Sequence, residues 1–307
     1  MSRRSGPGFS RDPLLFLAPA LGIVAVFFVL PVILTFALSL TDMSSVTGLE
    51  RWSFIGVDNY DKLTSSSRAL ARLWLTLQYV ACTLVFFNLG MALLIAILSA
   101  EMPRRVASLV RAVWLLPRIT PTVVYIMMWN FLAADAPYGI LNQVLLGPLG
   151  IEPQQWVAAR PFLMIVVVNG YIGASFGMLI FVSAIEAIPV DRMRAAMVDG
   201  AGLWQRTRHI ILPALRWPIL FVTIFQTLAL LTSFEQILIL TDGNYDTEVW
   251  ALWAYHRALS NYFGNFQWGY GSALACVLVA LGVVFAVVYM RLLRMRDLVE
   301  PPKVESL

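Results

Sequence analysis

Residues 186–218 read EAIPVDRMRAAMVDGAGLWQRTRHIILPALRWP, a polar, arginine-rich stretch set between two long apolar runs. Val190, Met193 and Met197 recur at helical spacing while Asp191, Arg192, Arg194 and Asp199 take the other faces, which is the pattern of a short amphipathic helix. Leu203, Thr207, Ile210 and Ile211 repeat that pattern, with Gln205, Arg206, Arg208 and His209 opposite them. Between the two lies Asp199-Gly200-Ala201-Gly202, which supplies a residue free to enter positive φ and a side-chain oxygen able to cap the next helix. A bent two-helix elbow is therefore expected over residues 186–213.

The runs on either side decide what the elbow is attached to. Hydrophobic residues make up 59% of the chain and charged residues 13%, with a mean hydropathy of +0.76, whereas charged residues are about a quarter of a soluble domain. An all-α polytopic membrane protein is expected. Apolar stretches long enough to cross a hydrocarbon core, which takes roughly 20 residues, are Leu14–Leu40, Leu73–Leu98, Val106–Leu132, Pro161–Ala184 and Pro213–Leu240, with Gly271–Val288 as the core of a sixth. Pro31 is expected to kink the first; Pro117 and Pro121 fall inside the third. The first run continues well past Ala18-Pro19-Ala20, so it is not a cleavable signal. This gives a tail over 1–13, a six-span membrane domain over 14–296 that includes the elbow, and a second tail over 297–307.

Six crossings put both termini on one side, and the basic residues say which. Arg3, Arg4, Arg11, Arg104, Arg105, Arg111, Arg192, Arg194, Arg206, Arg208, Arg216, Arg291, Arg294, Arg296 and Lys303 fall on the elbow side, against Arg51, Lys62, Arg68, Arg72, Arg160 and Arg257 on the other. The positive-inside rule makes the elbow and both termini cytoplasmic. The net charge of +4 is thus topological, and with no basic patch interleaved with aromatics no nucleic-acid partner is indicated. Cys82 and Cys276 lie inside apolar runs, so neither a disulfide framework nor a metal cluster is expected.

Ala195-Ala196, then Gly200, Ile210 and Leu212-Pro213 resemble the cytoplasmic EAA loop of the permease subunits of bacterial ABC importers. Asp199-Gly200-Ala201 and Ala187-Ile188-Pro189 resemble the sugar-importing branch of that family, of the maltose-permease type. The family's leading Glu is Arg194 here. Further along, Phe234-Glu235, Leu240-Thr241-Asp242-Gly243 and Tyr270-Gly271 are similar in part to the segment around the fifth and sixth helices of sugar permeases. What the resemblance implies is mechanical. Ala195, Ala196, Asp199, Gly200, Ala201, Leu203, Ile210, Leu212 and Pro213 would form the surface seated in a cytoplasmic ATPase dimer, whose closure moves the elbow and tilts the attached spans. It also implies a second permease subunit, giving a heterodimer, an extracytoplasmic solute-binding protein, and residence in the bacterial inner membrane.

The chain carries no nucleotide site of its own. A phosphate-binding loop needs a Lys after a glycine-rich run, and the lysines are Lys62, after Asp61, and Lys303, after Pro302. ATP and Mg are therefore expected on the partner ATPase, with no cofactor, metal site or catalytic residue in this chain. Polar residues inside the spans are costly and so informative. Asn169 falls about 12 Å into the fourth span at 1.5 Å per residue, followed by Tyr171; Gln226, Ser233 and Glu235 run along the fifth, Gln226 and Ser233 on one face. Each is open to two readings, an interhelical fastener or a contact to a sugar's hydroxyls. Arg118 in the third span either pairs with a partner subunit or reaches to the cytoplasmic surface. The alternatives to an importer are a self-sufficient secondary transporter, which would show an inverted internal repeat that is not seen here, and a structural or signalling membrane subunit.

Overall fold

The computed structural model describes residues 12–135, 138–260 and 264–292, and they form helices throughout, with an isolated antiparallel bridge between Thr41 and Phe54. The expected tails at 1–13 and 297–307, Asp12 and Pro13 apart, lie outside the described residues, as do Arg294 and Arg296. Among the described residues four helices are long and apolar enough to cross a membrane: α1 (Phe16–Ser39), a 35-residue helix α3 (Ser67–Glu101), α6 (Pro161–Glu186) and a helix over Trp268–Arg291. Between α1 and α3 lies a short helix, α2 (Asp58–Thr64). Two further candidates are bent helix pairs that are long and apolar enough only when taken together. The third expected span is α4 (Arg104–Ile119) and α5 (Thr122–Leu132), which meet at 105°; the fifth joins α8 (Leu203–Ala214) to α9 (Arg216–Thr232) at 66°.

Proline accounts for the breaks. Thr120, directly before Pro121, is driven to an extended ψ of 136°, and α5 restarts on the proline. Leu215 leaves helical geometry between Pro213 and Pro218, the second of which lacks the N–H that would bond Ala214. Pro31, in contrast, does not end α1, because the chain widens into π-helical turns over Ala25–Val29 just before it. The fifth span also stops earlier than expected. α9 ends at Thr232, Ser233 is extended, and a separate short helix, α10 (Glu235–Leu240), follows.

The chain divides into two compact units, residues 12–65 with 254–277, and 66–253 with 278–292. In the first unit α1 presents apolar side chains outward along its length, as a lipid-facing helix does. The segment after it is tied by Asn59 of α2, which donates to the carbonyls of Ser39 (2.8 Å) and Thr41 (2.9 Å), and by a Ser39–Tyr60 hydroxyl pair at 2.7 Å. Asp42 accepts from the Ser53 N–H and hydroxyl, and these bonds hold its carboxyl below the usual carboxylate range.

In the second unit α3 and α6 form the centre. Ala92, Ile95 and Ala96 of α3 pack with Met178, Phe181, Val182 and Ile185 of α6, and Ile211, Leu215 and Val222 close the same cluster. Gly173 and Gly177 permit the approach: a β-carbon at either would run into Asn88 or Ala92. The loop after α5 is organised by buried Asn142, which donates to the Ala134 and Gln154 carbonyls and accepts from Gln154 N–H and Trp156 Nε1. Elsewhere in the unit Arg72 pairs with Glu248 and lies over the ring of Trp253.

Candidate functional site

The elbow forms as two helices, α7 (Val190–Val198) and α8. Its corner is built by Gly200, whose φ of +79° is costly for any residue with a β-carbon. Gly200 N–H donates to Met197 O (3.1 Å) and Ala201 N–H to Ala196 O (2.9 Å), the paired bonds that close a helix end through a left-handed residue. The next helix is capped differently from the expectation. Asp199 does not cap it; Gly202 does, its N–H donating to Gln205 Oε1 at 2.9 Å.

Packing divides the elbow's side chains in a way the helical pattern only half anticipates. Met193 and Ile210 pack on the α3–α6 core and Ile211 is fully buried in it. Leu212 and Ala196 are half-buried, while Ala195, Asp199, Pro213 and Leu203 are exposed. Val190, Met197, Val198 and Trp204 are exposed as well, Val198 to 87% and Trp204 to 71%. Arg206, expected on the solvent side, is instead 9% exposed and donates to Glu101 Oε2 at 2.9 Å.

Between the spans lies a cavity of about 280 Å³ lined by Asn88, Arg118, Asn169, Gly173, Gln226, Ser233, Glu235 and Gln236, among others. Four of the five expected path residues therefore converge on one space. Tyr171 does not; it packs instead against Trp114 and Trp129, with ring centroids 4.5 and 6.3 Å away. Gln226 and Ser233 converge there without sharing a helix, since the break after Thr232 separates them. Asn169 donates to Tyr79 Oη and to Ser233 Oγ (2.8 Å), and Ser233 donates onward to Gln236 Oε1 (2.8 Å), a chain that ties α3 and α6 to the break. Gln226 Nε2 donates to Gly173 O at 2.9 Å. Both amides are thus engaged within the protein.

Two further residues complete the cavity: Asn88, which sequence reasoning did not single out, and Arg118. Asn88 is 1% exposed and neither of its amide atoms has a hydrogen-bond partner, although each is a strong hydrogen-bonding group. It sits in a π-helical segment of α3, Thr83–Met91, where Ala92 N–H reaches back five residues to Phe87 O. Arg118, at the C-terminal end of α4, is exposed; it lines the cavity, and its guanidinium stands 5.2 Å above the ring of Phe176, which stacks on Phe225. A mid-span Asn in an apolar run was the available signal for Asn88, and the run's length concealed it.

A gapped elbow joining two spans, broken helices and a polar mid-span cavity are the parts of a permease. Residues 92–297, more than half of the chain, match the family described as binding-protein-dependent transport system inner membrane component. The chain belongs to this family. Over 289 residues the permease is 30% identical to a trehalose/maltose transport system permease protein of Thermococcus litoralis, covering 92% of this chain and 93% of that protein. It is equally 30% identical over 289 residues to a sulfoquinovosyl glycerol transport system permease protein of Agrobacterium fabrum, covering 92% and 90%. In fold it is similar to a bacterial ABC transporter involved in the import of the acidic polysaccharide alginate, with a TM-score of 0.77 at 20% identity over 92% of this chain and 96% of that one. The permease is accordingly a multi-pass inner-membrane transport subunit with an all-helical fold.

Proposed function

We propose that this permease moves a sugar or sugar derivative across the inner membrane as one of two permease subunits of an ATP-driven importer, with both termini cytoplasmic. A cytoplasmic ATPase dimer binds ATP and Mg, and an extracytoplasmic binding protein delivers the solute. The observation that carries this reading is the elbow's uncovered apolar face: Val190, Met197, Val198, Leu203 and Trp204 are all exposed at a corner fixed by Gly200. An apolar patch of that kind marks a contact surface. Ala195, Ala196, Asp199, Ala201, Ile210, Leu212 and Pro213 shape its surroundings, and the positive-inside bias supports its cytoplasmic position.

The cavity supports a polyhydroxylated cargo. Asn88 offers a donor and an acceptor with no partner inside the protein, which matches a pair of sugar hydroxyls, and Arg118 and Glu235 add a cation and an anion to the same lining. Asn169, Ser233 and Gln226, whose side chains are hydrogen-bonded already, hold the broken spans in place around it. ATPase motion reaches the cavity through α6 and α9, which the elbow joins.

The test is co-purification of the chain with candidate ATPase subunits and solute-stimulated ATP hydrolysis in liposomes, comparing wild type with Gly200→Trp. Wild type holding an ATPase that the variant loses, with the variant still folded in the membrane, is the expected result. Solute movement by wild type without any ATPase would overturn it in favour of a secondary transporter.

A further inference from the structure

A cavity of about 800 Å³ lies beside the elbow, bounded by the turn between α3 and α4, the end of α6 and helix α7. Two ion pairs stand in its lining. Arg206 of α8 donates to Glu101, the last residue of α3, at 2.9 Å. Arg111 of α4 donates to Glu186, the last residue of α6, at 2.6 Å, and its Nε donates to Ser99 of α3 at 3.2 Å. Glu186 is where the elbow begins and Arg206 lies in its second helix, so the elbow is fastened at two points to the α3–α4 hairpin, with which it has no direct chain connection.

We infer that these pairs, Glu101–Arg206 foremost, are the link by which movement of the elbow reaches α3 and α4. The inference rests on the coupling role proposed above. Only α6 and α9 are joined to the elbow through the backbone, yet the mid-span cavity also has walls from α3 and α4. Asn88 is on α3 with Glu101, Arg118 on α4 with Arg111, Asn169 and Gly173 on α6 with Glu186, and Gln226 on α9 directly after α8. Arg111 and Arg118 are two helical turns apart, about 10 Å at 1.5 Å per residue. A push on the elbow that reached only α6 and α9 would leave the Asn88 and Arg118 sides of the lining behind.

The pairs suit this task better than the apolar contacts nearby. Met193 and Ile210 also touch the α3–α6 core, but apolar packing is non-directional and allows sliding. A charge-assisted hydrogen bond fixes direction as well as distance. The Arg206 side chain is nine-tenths buried and its Nε has no partner, so Glu101 is the anion that holds this guanidinium out of water. Glu186 is largely exposed, which makes the Arg111 pair the weaker of the two.

The experiment uses the permease assembled with its partners in proteoliposomes and reads solute moved per ATP hydrolysed. Glu101→Gln and Arg206→Gln are each expected to keep the ATPase bound and hydrolysing while that ratio falls about tenfold. The exchanged pair E101R with R206E is expected to recover most of it. Wild-type ratios in both single variants would overturn the inference, and so would an exchanged pair that recovers nothing, since the side chains would then matter for packing alone. Should the single variants fail to assemble, E101C with R206C in a chain with Cys82 and Cys276 replaced by serine is joined by a cleavable thiol cross-linker. Coupling present when joined and lost on cleavage supports the link; coupling unaffected by cleavage overturns it. A wild type without ATP-dependent uptake overturns the coupling role and this inference with it, whereas a coupled wild type with unaffected variants overturns the inference only.

Discussion

The elbow and the mid-span cavity are opposites. The elbow exposes apolar side chains, Val198 and Trp204 among them, at the end of the molecule where polar residues are concentrated. The cavity does the reverse: it buries an amide without a partner among apolar spans. Each region is unsatisfied by this chain, and in opposite senses. Exposed apolar surface is completed by another protein surface, while buried polar groups are completed by a polar ligand. On the function proposed above, the contrast separates the residues assigned to coupling from those assigned to cargo.

The sharpest way to break the contrast is at Gly200. Gly200→Trp places a β-carbon at φ +79°, in open space but in a strained backbone region, and puts an indole on the docking face. Solute-stimulated ATP hydrolysis is expected to fall by about a hundredfold, near the upper end of coupling between sites, with helicity and membrane insertion unchanged. A smaller loss is expected from Asn88→Leu. Uptake falls about tenfold, the equivalent of one good hydrogen bond, while the thermal midpoint in detergent stays level or rises, because an amide with no partner is removed. An Asn88→Leu variant that loses stability in proportion to uptake would make Asn88 a fastener and dissolve the distinction.

Asn169→Ala sharpens the same comparison from the other side. It strips the Tyr79 and Ser233 hydroxyls of a donor, at a cost of about 1–3 kcal/mol, so the thermal midpoint drops by several degrees and uptake falls only as folded protein does. The smallest effect lies in the first unit. Because the Ser53 bonds depress the Asp42 carboxyl in the folded chain, their contribution is complete above the ordinary value of 3.8 and disappears as pH drops through the lower folded value. Asp42→Asn should modestly raise hydrogen exchange around Ser53 at neutral pH without changing uptake, and should remove the further rise seen in wild type under acid conditions.

Much of the fold was legible along the chain because its signals are local. The elbow's boundaries and corner follow from apolar spacing and one glycine, and Schellman-type closure needs only the residues from Ala196 to Ala201. The prolines were visible too. Their result was not: Pro31 is absorbed by π-helical turns, Pro121 bends its span by 105°, and the neighbours of each decide which happens. In the cavity, Asn169, Gln226, Ser233 and Glu235 were found by their polarity, but the grouping that leaves Tyr171 among tryptophans came from packing.

By itself the sequence determined that this protein is a helical, multi-pass membrane protein with a glycine-cornered elbow, because hydropathy, charge bias and capping act over a few residues at a time. Only the tertiary structure decided which polar groups are already paired. Asn88 and Asn169 are alike in the sequence, each a lone amide in an apolar run; one finds Tyr79 and Ser233, 90 and 64 residues away, and the other finds no partner. Arg206 likewise reads as a surface charge until the fold brings Glu101, 105 residues earlier, to meet it. Hydrogen bonds and ion pairs are made across space, so their satisfaction is a property of the folded chain.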